Sequence, residues 1–240
     1  MRECVDVDMG NMGKALPLCS ELRSPAMRER HWALLLETTN QKGHIDPEDE
    51  EFTLQKLIDM GLHKFAEDAS NIVEKATKEL SIERALNKII DIWEKQQFTY
   101  DYNENLDTYL LGPIDEIVEQ LEADNNTLQG MLSNRFVTFF FEKVSTWQRN
   151  LGMVDSNAVK WMDLQRQWQN LFPIFVLSAD IKQQLEKDAK NFQIADDLFR
   201  ALMSKAHKHN NVIEVVCTDV IKVQLNRDQE LEDMLTTMQE

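Results

Sequence analysis

Turn-forming residues are scarce in this sequence, with seven glycines and five prolines in 240 residues. So few breakers exclude a loop-rich or many-stranded fold and favour long helices. Cysteine is equally sparse. Cys4, Cys19 and Cys217 are odd in number, widely spaced and without a CxxC pair, which argues for free thiols in a reducing compartment rather than a disulfide framework. No apolar run approaches the ~18 residues that span a bilayer. The acidic start, Met1 to Asp8, lacks the apolar segment of a signal peptide. Positive charge is also in deficit. Lys and Arg number 26 against 42 Asp and Glu, a net charge of −16 that repels nucleic acid and anionic membranes. These absences describe a cytosolic chain without nucleic-acid or membrane partners.

Motifs that carry chemistry are missing too. Gly10-Asn11-Met12-Gly13-Lys14 has the outline of a phosphate loop. However, Asp8 stands where the motif needs its first glycine, and Ala15 where it needs a hydroxyl for magnesium. His207 and His209 lie two apart, so a helix would point them to different faces, and a zinc site needs three or four converging ligands. They suit a solvated helix end, where His and Lys complement the dipole. His31 and His63 sit among apolar neighbours and read as hydrogen-bonded packing residues. No pair of carboxylates stands out in an apolar setting, so no general acid–base dyad is nominated.

What the sequence does contain is helical periodicity punctuated by tryptophan. The lead-in, residues 1–20, has little pattern. Ser24-Pro25 reads as a helix start, with Ser as cap and Pro in the first turn. Its helix carries Met27, His31, Trp32, Leu34 and Leu35. Gly43, Asp46-Pro47 and the acidic run Glu48 to Glu51 read as a solvated loop. Thr53 to Gly61 reads as a short helix. A strong stripe follows in Phe65, Ala69, Ile72, Val73, Ala76 and Leu80, then Ile82, Leu86, Ile89, Ile90 and Trp93, with a phase change near Ser81 that suggests a break. Phe98 to Tyr100 and Thr108 to Leu111 flank an Asn/Asp-rich turn and predict a β-hairpin.

Beyond Gly112-Pro113, Ile114 to Leu132 predicts another helix, and Phe136 to Leu151 the next, stopped near Gly152. Ser156 caps a further helix carrying Trp161, Leu164, Trp168 and Leu171, ended or kinked by Pro173. A short and a long helix follow Ser178. Val212 to Val223 is ambiguous, and the acidic final segment reads as a helix. The fold class predicted is mainly α, an elongated curved bundle of antiparallel helices with one small β-hairpin. Trp32, Trp93, Trp147, Trp161 and Trp168 are its structural anchors.

Ordered blocks of these residues resemble the linker region of dynein heavy chains. The first is Leu22-Arg23-Ser24-Pro25-Ala26-Met27-Arg28-Glu29-Arg30-His31-Trp32 with Leu35. Ala76 to Leu80 with Leu86 and Trp93 follows, then Phe98-Thr99-Tyr100 to Leu110-Leu111. Leu121 to Asn125, Met131 to Phe136, and Trp147, Trp161, Gln165 and Trp168 continue the order. The last block holds Ile174-Phe175, Asp180-Ile181, Gln184-Leu185, Lys190-Asn191-Phe192 and Leu202-Met203. Ser133 to Phe136 and Val144 to Gln148 look closer to axonemal, outer-arm heavy chains than to cytoplasmic dynein. Glu186, Phe199 and Pro173 depart from the family pattern.

The resemblance implies that residues 21–240 form the N-terminal to middle part of the linker, a curved helical lever. It implies no catalytic, cofactor or metal residue in this chain, with ATP and magnesium bound in the AAA+ ring of the full heavy chain. Its implied partners are that ring and the tail of the same chain, and indirectly microtubules and other dynein subunits. The implied location is the cytoplasmic cytoskeleton of a ciliary or flagellar axoneme. Phe98 and Tyr100, on the hairpin, are the candidate ring contact. Residues alone leave two alternatives open, a non-motor helical scaffold or adaptor bundle and an unrecognised enzyme.

Overall fold

A computed structural model describes Pro17, residues 20–40 and residues 64–217. The GNMGK segment, Cys4, Cys19, the Glu48–Glu51 run, the Thr53–Gly61 helix, His63 and the final acidic segment all lie outside them. The described residues are mainly α-helical with one two-stranded antiparallel sheet, as periodicity predicts. The chain divides into two compact units, residues 1–85 with 134–140, and residues 86–133 with 141–240.

In the first unit, helix α1 (Glu29–Thr38) begins later than Ser24-Pro25 suggests. Ser24 sits in a turn, its hydroxyl accepting the Ala26 N–H, and the helix is opened at Arg28 by the side chain of His31. Thr38 and Thr39 donate back to the carbonyls of Leu34 and Leu35, and Asn40 (φ 57°) turns the chain out of the helix. Leu22, Trp32, Leu35 and Leu36 pack with Ala69 and Ile72 of helix α2 (Ala66–Trp93) to form this unit's core.

Helix α2 shows no break at Ser81. Its buried positions are Ala69, Ile72, Ala76, Glu79, Ile82, Leu86, Ile89 and Trp93, in uninterrupted steps of three and four. The phase change in the sequence arises because a charged residue, Glu79, occupies a core position while Leu80 lies half-buried beside it.

The second unit holds the end of α2, the hairpin β1 (Tyr100–Asn103) and β2 (Thr108–Leu111), and helix α3 (Asp115–Leu132). Tyr100 pairs with Leu111 and Asn103 with Thr108. The Asn103 side chain accepts the N–H groups of Asn105 and Leu106, and Asp107 (φ 49°) closes the turn. Gly112 is required where the hairpin ends. A Cβ there would lie 2.3 Å from the Thr99 hydroxyl.

Helix α4 (Phe141–Phe172) is continuous where two helices were expected. Gly152 does not stop it, and Ser156 does not cap a new one. The Ser156 hydroxyl instead donates back to the Met153 carbonyl. Gly152 lacks neighbours within 4 Å of an added Cβ. Gly152→Ala is therefore expected to stabilise the chain by about 0.5–1 kcal/mol, by removing the entropic penalty of a mid-helix glycine. A raised urea midpoint at constant slope is the check.

Pro173 does end α4. Residues Pro173–Leu177 wind as a π-helical turn before the short helix α5 (Ala179–Gln184) and the longer α6 (Glu186–His209). The ambiguous Val212 segment opens as helix α7 (Val212–Cys217). Asn211 joins these ends. Its Oδ1 accepts the Glu214 N–H at the start of α7, and its Nδ2 reaches the carbonyls of Trp93, Glu94 and Gln96 at 3.0–3.2 Å. One side chain thus satisfies the orphan groups of two helix ends.

Candidate functional site

The described residues place polar groups in the helical core at recurrent positions, each answered by donors from a distant segment. In the first unit, Glu79 is 2% exposed. Its Oε2 accepts Arg30 Nε at 2.9 Å and His31 Nε2 at 3.0 Å, with Arg30 Nη2 at 2.6 Å. The Arg30 guanidinium lies over the Phe139 ring, 3.9 Å from its centroid, and so bridges charge and aromatic surface.

The tautomer of His31 follows from its partners. The Arg28 backbone N–H can only donate, and it meets His31 Nδ1 at 3.0 Å. Nδ1 is therefore the acceptor, and Nε2 carries the proton given to Glu79. Burial pushes the His31 pKa below its ordinary value of 6.5, outweighing the opposing attraction of Glu79. The folded state then binds fewer protons than the unfolded state once pH falls below about 6.5. This contribution to stability is whole above that pH and is lost as pH falls through the folded-state pKa. His31→Gln should lose less stability between pH 7 and pH 5 than the parent chain, read from paired urea titrations.

In the second unit the acceptors are aspartates and the donors are indoles. Trp93 Nε1 donates to Asp124 Oδ2 at 2.8 Å, and Gln120 joins the same oxygen at 2.9 Å. Trp168 Nε1 donates to Asp196 Oδ1 at 3.1 Å, while Arg200 Nε meets both Asp196 oxygens at 2.9 and 3.0 Å. Gln165 is buried on α4. Its amide takes the Leu111 N–H at 2.7 Å and gives a hydrogen to the Leu111 carbonyl at 2.9 Å, pinning the end of the hairpin. Such pairs add less net stability than apolar packing would, but each fits in only one register, because a slipped helix would strand a buried charge.

The tryptophan anchors are Trp32, Trp93, Trp161 and Trp168, all buried, and Trp147, which is half-buried. Phe98 and Tyr100, the nominated contact residues, face inward. Phe98 is 3% exposed and meets Trp161 edge-on at 5.6 Å. Tyr100 is half-buried against the same ring, and its hydroxyl is buried without a hydrogen-bond partner. Tyr102, on the same face of the ribbon as Tyr100, lies edge-on to Tyr109 at 5.2 Å, donates its hydroxyl to Asp107 and is 52% exposed. His207 is stacked on Tyr109 at 3.8 Å, so the helix end expected to be solvated packs on the hairpin. His31 is the hydrogen-bonded packing residue that its apolar setting predicts. Sequence reasoning missed Glu79, Asp124 and Asp196.

Among the described residues, no group of three or more His, Cys, Asp and Glu side chains is placed to hold a metal ion, and no helix is long and apolar enough to cross a membrane. The arrangement can align and brace helices, and it presents no described catalytic constellation.

Buried indole–carboxylate and arginine–carboxylate pairs thus join the helices within each unit. The family model for dynein heavy chain, N-terminal region 2, matches residues 3–240, and the chain belongs to that family. It is 38% identical over 229 residues to the dynein beta chain of the flagellar outer arm from Chlamydomonas reinhardtii, covering 94% of this chain and 5% of that protein. It is 37% identical over 207 residues to dynein axonemal heavy chain 11 from Sus scrofa, covering 86% of this chain and 4% of that protein. The dynein-1-alpha heavy chain of the flagellar inner arm I1 complex, also from Chlamydomonas reinhardtii, is 35% identical over 226 residues, with 90% and 5% covered. The chain thus spans about one-twentieth of the length of these curated relatives.

Proposed function

We propose that this chain is the N-terminal to middle part of the linker of an axonemal dynein heavy chain, a mechanical element that passes nucleotide-driven changes of an AAA+ ring to the rest of the motor. The similarity to ciliary and flagellar heavy chains over most of the chain supports the axonemal setting. The single observation that supports the mechanical role is the set of buried polar pairs that lock helix register. A force-bearing element must resist slip between helices, and close packing with one allowed register supplies that resistance.

In this reading ATP and magnesium are bound elsewhere in the heavy chain. The partners are that ring, the tail and other dynein subunits, with microtubules engaged indirectly. The hairpin is the surface offered to the ring. Tyr102, 52% exposed and held by Tyr109 and Asp107, is the ribbon's exposed aromatic side chain for that contact, while Phe98 and Tyr100 pack against Trp161.

Deleting residues 21–240 from the full heavy chain tests the proposal. Microtubule gliding should be lost while basal ATP turnover persists. Loss of both would assign catalysis to this region, and unchanged gliding would favour a non-motor scaffold.

A further inference from the structure

Beside the hairpin the second unit carries an open groove of about 750 Å³ whose walls come from the hairpin exit, α3 and α4. Its apolar lining includes Leu110, Val118, Met162 and Val159, and Val159 is 45% exposed although valine favours burial. Its charged lining is one-sided. Asp101, Asp115, Glu119 and Asp163 face a single cation, Arg166, which is already paired with Asp163 at 3.1 Å. Asp101 and Leu110 are cross-strand partners, so an acidic and an apolar side chain stand together on one face of the ribbon.

We propose that this groove is a docking site for an extended protein segment, lying outside these 240 residues, that presents Lys or Arg between apolar side chains. An extended segment suits the open groove because acidic and apolar side chains line it together, so that Lys or Arg can meet Asp101, Asp115 and Glu119 while neighbouring apolar residues meet Leu110, Val118 and Met162. A second copy of this chain is disfavoured as occupant, since two chains of net charge −16 repel. Backbone pairing adds nothing at Leu111, where Gln165 already takes both polar groups. Recognition therefore rests on side chains.

The test uses the 240-residue chain and a short fluorescein-labelled peptide alternating lysine with valine, followed by anisotropy. Asp101→Asn, Asp115→Asn and Glu119→Gln together should weaken binding about tenfold, since each exposed ion pair contributes up to about 1 kcal/mol. Glu122→Gln, Glu142→Gln and Glu186→Gln remove the same charge from exposed positions off the groove and should leave binding nearly unchanged. A lysine–glycine peptide should bind distinctly less well, and a glutamate–valine peptide should not bind. Equal weakening by both triple variants would reduce the effect to net charge and overturn the proposal. So would equal binding of the lysine–glycine peptide, or no binding of the lysine–valine peptide. Circular dichroism of both triple variants separates misfolding from lost contacts. A groove variant that fails to fold is replaced by Val159→Ser with the charges intact, which should also weaken binding, and an unchanged affinity would overturn the proposal.

Discussion

Trp168→Ala is expected to destabilise the second unit by about 3–5 kcal/mol, among the largest losses a single substitution causes in a packed core. Three effects combine. The side chain is fully buried, so its removal leaves a cavity and forfeits dispersion contacts. Its ring is stacked on Phe199 with centroids 4.4 Å apart and leans on Phe172 at 5.2 Å. Its indole N–H is a donor to Asp196, a buried carboxylate that then keeps only Arg200. Trp168→Phe separates these effects, because it keeps most of the aromatic volume and removes the donor. It should cost about 1.5–3 kcal/mol, the range for a hydrogen bond to a charged group. Urea denaturation followed by far-ultraviolet circular dichroism measures both. Equal losses for the two variants would mean that the hydrogen bond, not the packing, dominates.

Glu79→Ala carries the second large effect, about 3 kcal/mol against the first unit. It leaves the buried His31 Nε2–H without its acceptor and takes the counter-charge from Arg30. The value sits at the low end for a broken buried pair because the Arg30 side chain is 31% exposed and regains water. Glu79→Gln should lose roughly half as much, since its amide oxygen still accepts from His31 while Arg30 keeps only a neutral partner. A glutamine variant as unstable as the alanine variant would show that charge, and not hydrogen bonding, holds this site.

The same two sites mark where the sequence was legible and where it was not. Apolar residues at three- and four-residue steps identified α2, α3 and α6. The β-prone runs around an Asn/Asp-rich turn identified the hairpin, with β2 at Thr108–Leu111 as predicted and β1 shifted from Phe98–Tyr100 to Tyr100–Asn103. Periodicity is read from apolar residues, however, so Glu79, Asp124 and Asp196 were not nominated as core positions. The donors that tie them to another element, His31, Trp93 and Trp168, lie 48, 31 and 28 residues away in the chain, too far for any local pattern to pair them. The false break at Ser81 has this origin, because an unrecognised core glutamate looks like a lost phase. The error at Gly152 is different in kind. Its propensity argues for a stop, but the buried residues Leu151, Val154 and Ala158 on the same helix carry it through by packing. The contacts of Phe98 and Tyr100 with Trp161, some sixty residues on, were likewise beyond any local pattern.

The family of the chain is established by similarity over residues 3–240. In the proposed function, buried polar pairs hold the helices in one register so that this region carries force. The most direct measurement is the ratio of microtubule gliding velocity to ATP turnover in a full heavy chain bearing Glu79→Gln with Trp168→Phe, substitutions chosen to loosen the braces without emptying the core. The account predicts that the ratio falls, because turnover continues while less of each cycle becomes movement. An unchanged ratio in a variant shown to be less stable would contradict it.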